Sequence, residues 1–327
     1  MARRVLWRSG GRELGRPTNR TIKYASMNSH LRAVLQALLV VFLWATSWVF
    51  IKIGLQDIPP LTFAGMRYFL AFLFLLAALF FSETKREIKQ LSRRMWLRFI
   101  LLGVLLYAVT QGAVFVTLAY LPAVTTNLLW SFSSVVVTVF GILWLAEKPT
   151  CLQWVGIALA IAGALVYFMP VAIPRSQSIG VIAALTGILT NAVSAVMSRN
   201  INRSEMHHPL LITVVSMGAG SILLLAAGFA FEPPPVVNAR GLAIILWLAL
   251  TNTAFAFTLW NHILRTLTAM EASVINGTMM IWIPILALLF LGETITGKEI
   301  IGLAITGLGT LIVQFRKPAS QTDSTNS

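Results

Sequence analysis

The sequence predicts an all-α integral membrane protein in which ten transmembrane helices form two five-helix repeats of inverted topology. Three observations support this fold class. Hydrophobic residues make up 57% of the 327 residues and charged residues only 11%, whereas an ordinary soluble domain carries about 25% charged residues. Ten apolar stretches are long enough to cross a bilayer, and the chain matches itself when it is shifted by 146 residues.

The composition excludes several classes of protein. With a mean hydropathy of +0.80, the chain has too few charged residues to cover the surface of a soluble enzyme or a nucleic-acid-binding domain. The single cysteine, Cys151, excludes a disulfide framework and a cysteine-ligated zinc or iron–sulfur site. We therefore expect the lipid bilayer as a partner, and no nucleic acid.

The ten membrane-spanning stretches follow one another with short connections. A bilayer core needs about 20 apolar residues per helix, and prolines such as Pro59, Pro122 and Pro170 mark their boundaries, where a missing amide donor does no harm. The runs are continuously apolar and lack the alternation of barrel strands. The predicted spans are residues 33–53, 60–81, 99–119, 123–145, 152–169, 180–198, 209–231, 242–264, 271–291 and 299–315.

The basic residues predict the orientation. With a cytoplasmic N-terminus, 20 of the 25 Lys and Arg residues lie in cytoplasmic segments and 3 in outer loops. This positive-inside pattern predicts a multi-pass protein of the inner (plasma) membrane with cytoplasmic tails at residues 1–32 and 316–327. For residues 1–26, three interpretations stay open: a mis-called start with translation from Met27, a disordered basic tail, or an organelle transit peptide.

The internal repeat decides the symmetry. The shift superimposes, without a gap, Ala123 on Ala269, Glu147 on Glu293 and Gly163 on Gly309. Each repeat, residues 33–169 and 180–315, therefore contains five spans. Because five is odd, the second repeat enters the membrane from the opposite side. Transporters use this design, with a substrate site near the midplane between the repeats.

Several motifs resemble those of a known family. The run WATSWVFIKIG begins at Trp44, FAGMRYFLAF begins at Phe63, and each half ends an apolar run with an acid, as LAE at Glu147 and LGE at Glu293. Over about residues 30–316 the chain resembles the ten-span EamA-type branch of the drug/metabolite transporter superfamily. The resemblance implies efflux or exchange of small metabolites, often amino acids or related compounds, and a central cavity lined by spans one to four and six to nine.

The resemblance also implies a proline midway along both the fourth and the ninth span. Pro284 is present in the ninth span, but Thr138 occupies the partner position. Small residues on spans five and ten, Gly156, Ala160 and Ala164 with Gly302 and Thr306, predict close helix packing, with a dimer seam as the alternative.

Two basic residues lie within spans. Arg67 lies about 10 Å below the outer face at 1.5 Å per residue, where a bare cation costs at least about 2.5 kcal/mol. It either ties helix ends together, snorkels outward, or binds a substrate carboxylate. Lys52, at the outer end of the first span, either snorkels to the headgroups or forms an electropositive outer vestibule with Arg67.

Two acids, Glu147 and Glu293, end their helices at opposite membrane surfaces. A carboxylate at a helix C-terminus opposes the macrodipole, so we expect each to cap the amides of the following helix or to latch a gate, with proton coupling as an alternative. No Asp or Glu lies near the centre of a span. Intramembrane proton relays use such acids, so the sequence gives no support for one.

Uncharged polar and aromatic residues supply the remaining candidates for substrate binding. Each could instead bridge two helices, since interhelical hydrogen bonds contribute about 0.6–2 kcal/mol. Together with Arg67, the predicted substrate-binding residues are Trp44, Ser47, Gln111, Asn127, Trp130, Asn191, Asn252 and Asn276.

These observations predict a transporter, most simply an exporter of small organic metabolites such as amino acids, that works by alternating access. The alternative is a multidrug exporter of lipophilic compounds, although Lys52 and Arg67 would repel lipophilic cations. No catalytic constellation, metal site or cofactor is expected, so the chain is not predicted to be an enzyme. We expect a small-molecule substrate and a monomer or homodimer.

Overall fold

The computed structural model describes residues 19–145, 150–169, 174–202, 208–263, 266–267 and 269–314. These residues are helical apart from short turns and connections, and no strand occurs among them. We number ten long helices in chain order. They are α1 (Asn19–Gly54), α2 (Pro60–Phe80), α3 (Arg93–Tyr120), α4 (Ala123–Ser131 and Ser133–Leu145), α5 (Cys151–Phe168), α6 (Ser178–Asn202), α7 (Pro209–Phe231), α8 (Ala239–Ile263 in three segments), α9 (Ala269–Gly277 and Met279–Leu291) and α10 (Gly297–Gln314).

Nine of these helices, within the described ranges, are long and apolar enough to cross a membrane. The exception is α10, whose 18 residues include Lys298, Glu299 and Gln314. The helices follow the predicted spans closely. One difference is at the start, because α1 begins at Asn19, inside the predicted tail, although its apolar part begins at His30.

Local sequence explains where several helices begin. Pro60 occupies the first position of α2 after the extended Pro59, where its missing amide is harmless. Ser92 and Asn238 cap α3 and α8 through their side chains. Thr150 forms a capping box with Gln153 at the start of α5.

The helices pack across the two halves. We call the end of the bundle that holds residues 52, 60 and 123 the Lys52 end, and the opposite end the His30 end. Helix α1 packs on α8 and α9, and α6 packs on α3 and α4. Two antiparallel pairs, α2 with α7 and α5 with α10, form the most extensive contacts between the halves.

The α5–α10 pair confirms the packing role of the small residues. A side-chain methyl at Gly156 would lie 2.8 Å from the carbonyl oxygen of Gly309, and one at Gly302 would lie 2.7 Å from the backbone nitrogen of Tyr167. The Thr306 hydroxyl donates to the Ala160 carbonyl. The stripe is therefore used within one chain, to bring two backbones together.

The two halves share irregular features at matching positions. Helix α4 is interrupted at Phe132 and α9 at Thr278, and at each break the backbone amide donates to the carbonyl three residues back, at 3.1 and 3.0 Å. These positions are 146 residues apart, the shift of the sequence repeat. The interruption of α4 therefore needs no proline, and Thr138 donates to the Ser134 carbonyl within a regular turn.

Helices α3 and α8 both contain a π-helical segment, Val104–Thr110 and Leu248–Phe255. In each, a threonine hydroxyl donates to the carbonyl five residues earlier: Thr110 to Leu105 at 2.8 Å and Thr253 to Leu248 at 3.0 Å. A π turn leaves the regular hydrogen-bond ladder, and such turns are frequent at functional sites. The segments contact α7 and α2, respectively.

Candidate functional site

Arg67 lies in the interior, between α2, α3 and α8. Only 5% of its surface is exposed, and its Nε and Nη2 donate long hydrogen bonds of 3.4 and 3.3 Å to the Thr253 hydroxyl. The guanidinium carbon lies 5.1 Å from the Tyr68 ring centre and 6.0 Å from that of Phe115. Among the described residues no carboxylate lies within 4 Å of Arg67.

This environment leaves most of the guanidinium donors free to bind an anion. A guanidinium has five N–H donors in a plane, and within the described part of the chain the Thr253 hydroxyl is their one hydrogen-bond partner. Buried charges are normally paired. A planar carboxylate that forms two parallel bonds is the ligand that suits such a group best.

A second cluster joins α1 to α8. The Trp44 indole donates to the Asn252 carbonyl at 3.2 Å, and the Asn252 amide donates back to the Leu43 carbonyl at 2.5 Å. The Trp44 ring lies 5.2 Å from Phe257 and 5.1 Å from Trp260, centre to centre. The side-chain oxygen of Asn252 is buried and has no hydrogen-bond partner among the described residues.

A third cluster lies where α4 meets α6. Asn127 and Trp130 occupy one face of α4, and the Nδ2 of Asn127 and the Nε1 of Trp130 are buried without partners among the described residues. A side-chain methyl at Gly187 would lie 2.7 Å from the Trp130 ring, so α6 passes directly over it. Next to this contact Asn191 donates to the Ser133 hydroxyl at 2.5 Å.

The other predicted binding residues have different surroundings. Ser47 is buried and donates to the Trp44 carbonyl of its own helix at 2.6 Å. Gln111 is half-buried where the π segment of α3 ends. Asn276 is exposed on the first segment of α9, and in the described structure its side chain has no hydrogen bond.

Glu293 connects the halves at the Lys52 end. Gly292 ends α9 in the left-handed conformation, with φ of 66°, and the chain turns so that the Glu293 carboxylate accepts the amides of Ala123 and Val124, at 2.6 and 3.0 Å. The expectation that Glu293 caps the following helix is therefore wrong, because α10 begins with a hydrogen-bonded Thr296 and Glu299 pair. Glu293 instead caps α4 of the other half. Glu147 lies outside the described residues.

Sequence reasoning missed a second acid of this kind. Glu232, directly after α7, accepts the amides of Leu61 and Thr62 and the Thr62 hydroxyl, all at 2.8 Å. At the His30 end of the same helix pair, Glu87 accepts the His208 amide at 3.0 Å. The α2–α7 pair is therefore capped by an acid at both ends. The signal was an acid that immediately follows an apolar run, as with Glu293.

Lys52 does not point away from the bundle. Its ammonium donates to the Leu118 and Leu121 carbonyls at 2.6 and 2.7 Å. These carbonyls belong to the C-terminal end of α3, where the helix macrodipole favours a cation. It lines a cavity of about 590 Å³ together with Arg240 and Glu293. Arg67 does not line this cavity, so the electropositive partner of Lys52 is Arg240. The sequence analysis missed both Arg240 and Thr253.

Comparison with known proteins divides the chain into the same two halves. The sequence profile of the EamA-like transporter family matches the chain twice, over residues 31–169 and 178–315. YoaV, a transporter of Bacillus subtilis (strain 168), is 26% identical over 298 residues, which cover 87% of this chain and 97% of that protein. A Salmonella typhimurium (strain LT2) protein named "Probable amino-acid metabolite efflux pump" is 25% identical over 300 residues, 85% of this chain and 93% of that one.

The fold also has a counterpart among solved structures. A crystal structure aligns with a TM-score of 0.62 over 86% of this chain and 97% of the other, at 16% sequence identity. At this identity the similarity concerns the fold alone.

Proposed function

The chain belongs to the EamA-like transporter family, and we propose that it exports small carboxylate-bearing organic metabolites, such as amino acids or related compounds, by alternating access. The name of the Salmonella relative points to this substrate class. The family and the names of the relatives support a membrane transporter rather than an enzyme.

The observation that carries the proposal is the buried Arg67 guanidinium, which has no carboxylate within 4 Å among the described residues. Its one described hydrogen-bond partner is a hydroxyl at more than 3.2 Å, so the favourable partner must come from elsewhere. A substrate carboxylate supplies it. Three buried polar atoms in the clusters around Trp44 and Trp130, on Asn127, Trp130 and Asn252, have no partner among the described residues and suit the other polar atoms of such a metabolite.

Alternating access needs two halves of the chain that can rearrange against each other. We assign ten spans, with α10 as the tenth, because α10 packs along the apolar helix α5 through small residues. Each half then has five spans and the halves are inverted relative to each other. The matched breaks in α4 and α9 and the matched π segments in α3 and α8 support this repeat.

The contact between α4 and α9 supports a state that is closed at one end. The segments Ala123–Ser131 and Met279–Leu291, toward the Lys52 end, pack together. As far as the structure describes them, the segments toward the His30 end, Ser133–Leu145 and Ala269–Gly277, make no comparable contact. The positive-inside pattern assigns the Lys52 end to the outside and both termini to the cytoplasm, so this state faces inward, in the inner membrane.

Glu293 serves in this cycle as the latch of the outer gate, since it links α9 of one half to α4 of the other. The repeat assigns the same role to Glu147 at the inner gate, a prediction that rests on the sequence alone. Lys52 belongs to the outer gate through its bonds to the end of α3.

The test is efflux from cells that overproduce the protein, with the medium analysed for amino acids and related carboxylates by mass spectrometry. Arg67→Ala should lower carboxylate efflux at least tenfold, because a hydrogen bond to a charged group contributes about 1.5–3 kcal/mol. Arg67→Lys should restore only part of it, since an ammonium lacks the planar fork.

Arg175→Ala is the matched control and should leave efflux unchanged, because Arg175 is exposed at the Lys52 end of the bundle. Unchanged carboxylate efflux in Arg67→Ala, with the protein present in the membrane, would remove Arg67 from the substrate site. Resistance to lipophilic compounds that depends on the protein but not on Arg67 would favour the multidrug alternative.

A further inference from the structure

The cavity at the Lys52 end has features of a second binding site. It is lined by the buried residues Leu118 and Leu121 at the end of α3 and by the exposed residues Gln56, Tyr120 and Arg240. The cavity is therefore open to the surroundings and anchored on helix ends. At about 590 Å³ it lies within the range of small-molecule pockets.

Two cations from different halves share this cavity. Lys52 has three N–H donors, of which two are held by the Leu118 and Leu121 carbonyls. The third stays available. Arg240 is exposed, and among the described residues its side chain has neither an ion pair nor a hydrogen bond. The cavity thus offers a fixed ammonium and a free guanidinium to an incoming anion.

One carboxylate, that of Glu293, also lines the cavity. Each of its oxygens accepts a single amide bond, from Ala123 or Val124, and a carboxylate oxygen has a further lone pair for another donor. Two cations beside one acceptor complement a molecule that carries a carboxylate and an ammonium. A simple electropositive surface would not contain Glu293.

We propose that this cavity is an exit site that binds the transported metabolite as a zwitterion, with its carboxylate on Lys52 and Arg240 and its ammonium at Glu293. The proposal rests on the proposed function for the identity of the metabolite. The site is separate from the Arg67 environment, because Arg67 is buried and does not line the cavity. A released substrate would also meet here the carboxylate that latches the gate.

The test is protection of a cysteine placed in the cavity. In a Cys151→Ser background, Gln56→Cys is modified in the purified protein with a sulfonated methanethiosulfonate reagent. The protein is solubilised in detergent, so that the reagent reaches both the Lys52 end and the His30 end. The rate is measured alone, with a mixture of L-amino acids, and with a mixture of the corresponding amino-acid amides. Arg240→Glu is compared with Arg175→Glu, an equal charge reversal at the same end but outside the cavity.

The amino-acid mixture should slow modification at least threefold and the amides should not, because the amides lack the carboxylate. Arg240→Glu should abolish protection and lower the unprotected rate about fivefold, the order expected when two charge units change near an anionic reagent in water. Arg175→Glu should preserve both values. Lack of protection, equal protection by amides, or protection that survives Arg240→Glu would overturn the exit site.

The proposed function is judged separately, by the efflux assay on Arg67 variants. Loss of efflux in Arg67→Ala together with absent protection at Gln56→Cys would refute the exit site alone. Protection that depends on Arg240, with efflux indifferent to Arg67, would refute the Arg67 site and leave the exit site standing.

Discussion

Replacement of Glu293 by Gln should shift the protein toward a state that is open at the Lys52 end. The carboxylate accepts the Ala123 and Val124 amides across the two halves. The two amides are bound by different oxygens, and in a carboxamide one of these is replaced by an amino group, which donates and carries no charge. In the same geometry only one of the two bonds can therefore remain. The shape and size of the side chain stay nearly the same.

The size of the shift follows from these contacts. A hydrogen bond to a charged group contributes about 1.5–3 kcal/mol, and a negative charge at a helix N-terminus contributes about 0.3–1 kcal/mol more. Loss of one bond and of the charge therefore removes about 2–4 kcal/mol. Since 1.4 kcal/mol corresponds to a factor of ten, the ratio of open to closed protein should rise at least about 30-fold.

Distances between two spin labels measure this ratio directly. Tyr120→Cys on α3 and Leu289→Cys on α9 are suitable sites, because both side chains are exposed, at 43% and 67%, and belong to different halves of the chain. With Cys151 replaced by Ser, double electron–electron resonance in detergent gives the populations of the short and long distances without reference to membrane orientation.

Glu232→Gln provides the matched control. Glu232 accepts three bonds at 2.8 Å, so its loss is at least as costly, but it caps the α2–α7 pair. That pair is also capped at its other end by Glu87, and a methyl at Gly65 would lie 2.7 Å from the Leu225 backbone. Glu232→Gln should lower stability and leave the distances unchanged. A change below about threefold in Glu293→Gln, or the same change in Glu232→Gln, would refute the latch.

Two further predictions use matched pairs within the chain. Thr253→Val should lower carboxylate efflux about fivefold, since it removes a hydrogen-bond partner of Arg67 worth about 1 kcal/mol. Thr110→Val, in the π turn of α3, should leave efflux unchanged. Equal losses in both would point to the π turns instead of Arg67. Gly302→Val should destabilise the detergent-solubilised protein by about 1–3 kcal/mol through overpacking against α5, measured by thermal unfolding. Gly297→Val is the control and should have little effect, because an added methyl there has no described neighbour within 4 Å. A similar loss in both would argue against the close α5–α10 contact.

The spans and the close packing of the small-residue faces on α5 and α10 could be predicted because their signals are local, although the sequence did not say that these two helices pack on each other. An apolar run long enough to cross a bilayer, or a glycine repeated every few residues on one helix face, carries its structural meaning within a single helix. The proline boundaries at Pro59 and Pro122 belong to the same class.

The partners within the site could not be predicted, because they depend on the register between the halves. Arg67 and Thr253 are 186 residues apart in the chain, and Glu293 and Ala123 are 170 apart. The sequence indicated that Glu293 needs donors but not which helix supplies them. It gave no sign of the π turns either, since Thr110 and Thr253 satisfy a carbonyl that only the widened turn exposes.

The two widened turns make α3 and α8 tolerant of a one-residue deletion at one place only. A π turn contains one residue more than an α-helical turn, and in an α-helix each residue contributes about 100° of rotation and 1.5 Å of rise. Deletion of a single residue from Leu248–Phe255 would let the helix return to regular α-helical geometry there. The helical segments on either side would keep their orientation relative to each other. The same deletion in Ala256–Ile263 would swing every later side chain around the axis, and Trp260 would leave Trp44. Each helix thus holds one extra residue beside the proposed substrate site, and its loss would reshape that site while the rest of the helix remained in register with its neighbours.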